Sequence, residues 1–357
     1  MKEKMKQKMR FNQTIKIGNR VISDSDKAFI IAEAGVNHNG DMGIARQMID
    51  AAVNAGVDAV KFQTFKTDEL ILKGVEKAPY QRMTTDSKES QYEMLKRLEV
   101  TKEQTGKLMS YCKKSGIIFL STPFENISLD ELDELDVYGF KVAATDITNI
   151  QFLRQVAKKG KPMILSAGMC YLEEVRKALE AIWPINQDVV LLQCTANYPI
   201  QDSEANINVI HTFKKEFGIL TGYSDHSQGV GASPFAVAAG AKVIEKHFTL
   251  DKNMEGPDHK ASVTPDELRQ LVSDIRRAET YLGDEVKIPT CSEQMTRRSL
   301  QKYLVARREI KKGERFTEDN LTAKRTDGTG ISALYFDDVT GNVARRDFRT
   351  DEIIELG

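Results

Sequence analysis

Ile219-Leu220-Thr221-Gly222-Tyr223-Ser224-Asp225-His226 and Lys242-Val243-Ile244-Glu245-Lys246-His247-Phe248-Thr249 are two short apolar runs, each with a histidine at its polar end. One helical pattern separates them. If both runs are strands of one parallel sheet, both imidazoles emerge at the same edge, where they make half of a metal site. A lone histidine is more often a satisfied core or surface residue. Two placed alike, with lysines and carboxylates at the ends of other strands, point to chemistry.

Working outward, β-branched runs alternate with amphipathic stretches through most of the chain. Strands are expected at Ala28 to Ala34, Ala59 to Thr64, Ile117 to Pro123, Gly139 to Thr145, Pro162 to Gly168 and Val189 to Thr195, before the two runs above. Helices are expected at Gly43 to Ala55, Glu103 to Lys114, Leu172 to Ile182 and Pro265 to Leu282. Eight strands alternating with helices is the count of an α/β (β/α)8 TIM barrel, whose usual size is about 250 residues. A doubly wound open sheet would carry a Gly-rich phosphate turn after its first strand. Gly35-Val36-Asn37-His38-Asn39-Gly40 does not match GxGxxG.

The strands end in polar groups: Glu33, Lys61 with Gln63, Thr122, Lys141 with Asp146, Ser166, Thr195 with Tyr198, His226 and His247. Polar residues mark the end of any strand. That reading explains charged groups at successive ends poorly, because isolated buried charges are costly. In a TIM barrel these ends form the active face.

The chain has 357 residues, 41% of them hydrophobic, and a net charge of −1. No bulk field favours nucleic acid or membrane. Met1-Lys2-Glu3-Lys4-Met5-Lys6 is basic without an apolar core and is expected to be a frayed tail. No apolar run approaches the roughly 20 residues of a membrane span. Cys112, Cys170, Cys194 and Cys291 form no CxxC and suit reduced thiols in a cytoplasmic protein. After Gly283 short strands and turns replace long helices. The expected organisation is a tail over 1–20, a barrel over 21–284, a linker over 285–300 and a small β-rich domain over 301–357. The last is small for an independent core and is expected to dock on the barrel or on a partner subunit.

The motifs Ile31-Ala32-Glu33-Ala34-Gly35-Val36-Asn37-His38-Asn39-Gly40, Val60-Lys61-Phe62-Gln63-Thr64, Ser121-Thr122-Pro123-Phe124, Tyr223-Ser224-Asp225-His226, Glu245-Lys246-His247-Phe248-Thr249-Leu250 and Gly256-Pro257-Asp258-His259 are specific. The chain resembles the N-acetylneuraminate (sialic acid) synthases, with the related legionaminic and pseudaminic acid synthases, over nearly its whole length. Ile310-Lys311-Lys312-Gly313-Glu314 and Leu321-Thr322-Ala323-Lys324-Arg325 resemble the SAF, or antifreeze-like, domain of that family.

The resemblance implies a domain-swapped homodimer that condenses phosphoenolpyruvate with an open-chain N-acetylated hexose and releases phosphate. N-acetylmannosamine, giving N-acetylneuraminate, is the first choice of acceptor. The alternative is 2,4-diacetamido-2,4,6-trideoxymannose, giving N,N'-diacetyllegionaminate. By family position His226 and His247 hold Mn2+ or Mg2+, although ligand type alone suits zinc equally. Lys61, Thr122, Lys141, Ser166 and Ser224 bind phosphoenolpyruvate. Glu33 and Asp146 steady the cationic intermediate and handle protons. Gln63, Tyr198 and Asp258 bind the sugar, and Arg325 reaches the N-acetyl group in the partner's site. His38 suits a substrate loop, His259 a supporting position and His211 the surface.

Two departures stand out. The family's fourth strand commonly ends Lys-x-x-Ser-Gly-Glu/Asp, whereas this chain has Lys141-Val142-Ala143-Ala144-Thr145-Asp146. Ala144 removes a hydroxyl, and on a strand Thr145 would point away from the site. Pro-Gly commonly follows the small domain's arginine, where this chain has Thr326-Asp327. The excursion from Lys77 to Met94 over the active face is a candidate substrate lid. Two other readings stay open: a Schiff-base aldolase using Lys61 or Lys141, and a sugar-acid-binding paralogue that has lost catalysis.

Overall fold

The computed structural model describes residues 9–86 and 88–356. The chain divides into two compact units between Gly283 and Asp284. The first opens with an antiparallel hairpin, β1 (Thr14–Ile17) and β2 (Arg20–Ser23). Eight strands follow: β3 (Phe29–Gly35), β4 (Ala59–Thr64), β5 (Ile118–Pro123), β6 (Phe140–Val142), β7 (Met163–Ala167), β8 (Val189–Cys194), β9 (Leu220–Asp225) and β10 (Val243–His247). They pair in parallel in the order β5-β4-β3-β10-β9-β8-β7-β6, and β5 and β6 lie side by side. The sheet is therefore a nearly closed TIM-type barrel.

The alternation of a strand sorts the sequence into an inner and an outer face. Phe29, Ile31, Ala59, Ile118, Leu120, Ile164, Val190, Leu192, Leu220 and Val243 form one apolar cluster inside the barrel. Ile15, Ile17 and Ile22 of the hairpin join that cluster, so part of the stretch assigned to an N-terminal tail instead packs into the barrel interior. Its first residues, Met1 to Lys6, lie outside the described residues. Further along the same inner faces come Glu33, Lys61, Thr122, Ser166, Ser224, Glu245 and His247. Outward residues such as Ile30, Ala32, Val60 and Phe62 pack against the helices. Only glycine fits at position 222, where a Cβ would meet Leu192 Cδ2 and Val243 O, both at 2.4 Å.

The helices follow local rules. In Met42–Ala55, Asp41 caps the start by accepting from Gly43 N at 2.6 Å and Ile44 N at 3.1 Å. Gly56 ends it at φ 77. Ala45, Met48, Ile49 and Ala52 bury one stripe at helical spacing.

One strand differs from expectation. β6 stops at Val142, and Ala144–Asp146 forms a 3-10 turn. The ladder with β7 ends at Val142, and Asp146 N donates to Ala143 O at 3.0 Å to close the turn.

The second unit begins with an exposed helix, Cys291–Leu300, and contains an antiparallel pair, β11 (Lys302–Ala306) and β12 (Leu321–Arg325). Leu304, Ala306, Ile310, Phe316, Leu321, Val339, Ala344, Phe348 and Ile354 give it a core of its own. No described helix is long and apolar enough to cross a membrane.

Candidate active site

The carboxyl ends of the barrel strands open into a cavity of about 540 Å³. Glu33, Lys61, Gln63, Thr122, Lys141, Ser166, Tyr198, Ser224, His226, His247 and Asp258 all bound it. Other residues named from sequence lie elsewhere. Asp146 sits beside the wall, where its carboxylate meets Asn149 Nδ2 at 3.2 Å and Thr145 Oγ1 at 3.3 Å. His38 and His259 are buried in loops: Gly40 N donates to His38 Nδ1 at 3.0 Å, and His259 Nδ1 meets Thr249 Oγ1 at 2.6 Å. Arg325 ends β12 in the second unit, exposed. His211 is exposed on its helix.

The floor is a buried charge cluster. Lys61 Nζ lies 2.8 Å from Glu33, 3.7 Å from Glu245 and 2.9 Å from Thr122 Oγ1. Lys141 Nζ is 3.5 Å from Glu245, which also accepts from Ser224 Oγ at 3.1 Å. Burial drives the Glu33 acid up to about 7, against the pull of Lys61 and with the push of Glu245. Burial would raise Glu245 too, but Lys141 and Lys61 outweigh it and hold that carboxyl at about 2. Two ammoniums thus face one firm carboxylate and one that exchanges its proton near neutrality. Such a cluster accepts an anion by letting Glu33 take up a proton. Ser166 Oγ is buried with no hydrogen-bond partner among the described residues, a hydroxyl left free to donate.

Glu245 carried no assignment in the sequence, although it was quoted beside His247. The signal was parity: two residues before His247 on a strand, it shares that histidine's face. Thr145 corrects in the other direction. Because the strand has already ended, its residue reaches the cavity wall beside Ala144.

The two imidazoles stand with ring centroids 5.4 Å apart. Tyr198 stacks on His226 at 4.1 Å, and Tyr80 meets Tyr198 at 5.1 Å. His226 Nδ1 pairs with Thr195 O at 2.8 Å, which places its proton there and leaves Nε2 as a lone pair. Burial lowers His226 to about 4 and His247 well below its usual range, so both rings are neutral. His247 Nδ1 is buried without a hydrogen-bond partner, 3.8 Å from the Asp258 carboxylate. Two neutral imidazoles with free lone pairs fit a divalent ion. Among the described residues no cluster of three or more histidine, cysteine, aspartate or glutamate side chains is arranged for one. The donor set therefore suits a site completed by water or substrate oxygen.

These titrations predict an acid-sensitive fold. His38, His226 and His259 are held at about 4, and His247 is also lowered, chiefly by burial. Their contribution is complete above 6.5 and lost as pH falls through 4. Glu33 and Asp258, raised to about 7 and about 6, act oppositely and favour the fold while protonated. Asp58 and Asp146, also raised by burial, join the carboxyl side at the acid end of this range and leave it as they ionise. Stability should therefore rise from pH 5 to 6 as the imidazoles prevail, by up to about 1.4 kcal/mol per pH unit for each net proton. Urea midpoints across that range check this, and a flat or falling midpoint contradicts it.

The roof is the excursion after β4, with helices Thr67–Leu70, Pro79–Thr84 and Gln91–Leu98. Val36, Phe65, Met94 and Leu98 form an apolar cluster there, with Leu70, Leu95 and Phe124 against it. Lys77 is buried inside the excursion, donating to Thr85 Oγ1 at 2.9 Å, Asp86 O at 2.8 Å and Glu89 Oε2 at 3.0 Å. Thr84 Oγ1 ties it to Pro257 O at 3.2 Å.

An eight-stranded parallel barrel with paired lysines, paired imidazoles and a deep cavity at its carboxyl ends is an enzyme architecture for an anionic substrate. Comparison with known proteins makes this specific. The NeuB family model matches residues 48–287 and the SAF domain model residues 301–356. The N,N'-diacetyllegionaminic acid synthase of Campylobacter jejuni is 45% identical over 331 residues, 92% of this chain and 99% of that protein. The enzyme of the same name from Legionella pneumophila is 43% identical over 319 residues, 88% of this chain and 89% of that protein. The crystal structure of the N-acetylneuraminic acid synthetase of Leptospira borgpetersenii, in complex with citrate, superposes with a TM-score of 0.72 at 34% identity. It covers 82% of this chain and 98% of that one. The chain belongs to the NeuB family, transferases that use phosphoenolpyruvate to build sugar acids, and it carries a C-terminal SAF domain.

Proposed function

We propose that this enzyme condenses phosphoenolpyruvate with open-chain 2,4-diacetamido-2,4,6-trideoxymannose to give N,N'-diacetyllegionaminate and phosphate. The observation that carries the choice of acceptor is the apolar roof. Leu70, Ile71, Met94 and Leu95 bound the cavity together with Phe65 and Phe124. A methyl group at C6 gains about 0.8 kcal/mol per buried carbon against such a surface. A hydroxyl buried there without a partner costs about 1–3 kcal/mol. N-acetylmannosamine, with its C6 hydroxyl, is the second reading.

Lys61 and Lys141 hold the phosphate and carboxylate of phosphoenolpyruvate, with Thr122, Ser166 and Ser224 as donors. His226 and His247 hold a divalent ion, Mn2+ or Mg2+, which when bound supplies Lewis acidity toward the acceptor aldehyde. Gln63, Tyr198 and Asp258 orient the acceptor. C3 of the enol attacks the aldehyde carbon, and Glu33 gives its proton to the oxygen that becomes a hydroxyl. Water then adds to the cationic C2, and Glu33, now a carboxylate, takes a proton from it. The C2–O bond to phosphate breaks as the new C2 hydroxyl passes its proton to the departing phosphate, leaving a 2-keto acid and inorganic phosphate. Asp146 is set back from the wall and supports Thr145. The reading includes a cytoplasmic, domain-swapped homodimer in which Arg325 reaches the N-acetyl group in the partner's cavity.

The test is phosphate release from phosphoenolpyruvate with Mn2+ and each acceptor in turn. Release should favour the diacetamido sugar by at least about tenfold in kcat/KM, a difference of about 1.4 kcal/mol. Preference for N-acetylmannosamine moves the assignment to N-acetylneuraminate. No release with either sugar, although phosphoenolpyruvate binds, defines a binding protein that has lost catalysis.

A further inference from the structure

Barrel alternation leaves a buried ion pair, Asp225 with Lys246, that the chemistry above does not use. At the end of β9, Ser224 faces the cavity and Asp225 faces out, and His226 just beyond the strand returns to the cavity. On β10, Glu245 and His247 face in and Lys246 faces out. The two outward residues meet: Lys246 Nζ lies 3.2 Å from Asp225 Oδ1, and both side chains are at most 1% exposed. A buried pair is weak evidence for stability, because desolvation offsets most of its attraction. A reason for keeping it has to lie elsewhere.

Its other bonds supply that reason. Asp225 Oδ1 accepts from Ser227 N at 2.9 Å and from Ser227 Oγ at 2.5 Å, and Oδ2 accepts from Ser233 Oγ at 2.6 Å. Lys246 also donates to Ser227 O, and Ser227 Oγ accepts from Ala232 N at 3.1 Å. The network grips the main chain on both sides of His226 and one residue before His247. Among the described residues, the His226 ring has Thr195 O as its short hydrogen-bond anchor and His247 Nδ1 has no partner. The orientation of the two rings is thus held from behind.

We propose that Asp225 and Lys246, with Ser227, are positioning residues that fix the backbone of His226 and His247 for a divalent ion. This rests on the reading of those histidines as metal ligands. Loss of the pair should weaken Mn2+ about 10–100-fold, the range for residues that orient ligands from outside a metal's own shell.

The test is Mn2+ binding, followed by electron paramagnetic resonance, in the full chain without substrates. The variants are Lys246→Met, the neutral pair Asp225→Asn with Lys246→Gln, and His247→Ala. Wild type should bind, His247→Ala should not, and the two pair variants should bind 10–100-fold more weakly with phosphoenolpyruvate affinity unchanged. If the pair variants melt lower but bind Mn2+ as wild type does, the pair is structural and the proposal falls. If wild type binds no Mn2+, the ligand assignment of the histidines fails first and the positioning role with it. Should both pair variants fail to fold, Ser227→Ala carries the expectation in milder form, a loss of about threefold or more, and unchanged affinity there overturns the proposal.

Discussion

Lys61→Met should lower kcat/KM for phosphoenolpyruvate about 10³-fold while costing little stability. Each charge-assisted hydrogen bond to the substrate is worth about 1.5–3 kcal/mol, and a lysine at the floor makes more than one. The stability side is less obvious, since breaking a buried ion pair by removing one partner typically costs about 3–5 kcal/mol. Here the stranded carboxylate has an escape. Glu33 already sits at about 7, so taking up a proton near neutrality costs under about 1 kcal/mol. Glu245 keeps Lys141 at 3.5 Å and Ser224 at 3.1 Å. The variant should therefore unfold within about 2 kcal/mol of wild type at pH 7. The gap should widen as pH rises and Glu33 is forced to ionise without its partner. Steady-state kinetics paired with denaturant titrations at pH 7 and 8.5 separate the two effects. A variant that loses both activity and more than about 4 kcal/mol at pH 7 would mean that Lys61 is mainly a structural pair.

His247→Ala is expected to lose about 10³-fold in kcat at saturating Mn2+, and chelation of wild type should reproduce the loss reversibly. Lewis acid assistance at a carbonyl is worth several kcal/mol, which sets that scale. The ring is 6% exposed and its Nδ1 has no hydrogen-bond partner, so its removal breaks no hydrogen bond at that atom. A folded, inactive protein whose rate no longer responds to Mn2+ is the expected outcome. Unchanged Mn2+ dependence would sink the assignment.

The barrel was legible because its strands are period-two sequences with uniform apolar cores. The alternation of Ile219 to Asp225 and Lys242 to Thr249 alone places their ends on one edge. Residues fixed to those strands, such as Lys61, Ser166 and His247, followed directly. What escaped were positions whose direction depends on where a strand stops. Thr145 was expected to point away because β6 was extended through it, yet the chain turns at Ala144. Asp146, expected on the wall, is set back by the same turn. Strand parity with His247 puts Glu245 on the inward face, but its role as the partner of two lysines emerges only when β4 and β6 bring Lys61 and Lys141 to it. The hairpin β1–β2 was hidden by its basic, Met-rich lead-in, which masked three isoleucines spaced for burial.

The groups proposed to grip phosphoenolpyruvate are anchored on strands, whereas the apolar surface proposed to face the acceptor is mostly carried by one excursion between β4 and β5. That separation of addresses makes the fold evolvable in a particular way. Insertions and substitutions in residues 65–101 can retune which sugar is accepted without disturbing the bond-forming machinery. On the proposed reading, a lineage can thus change the sugar it accepts by rewriting one loop while the reaction itself is inherited intact.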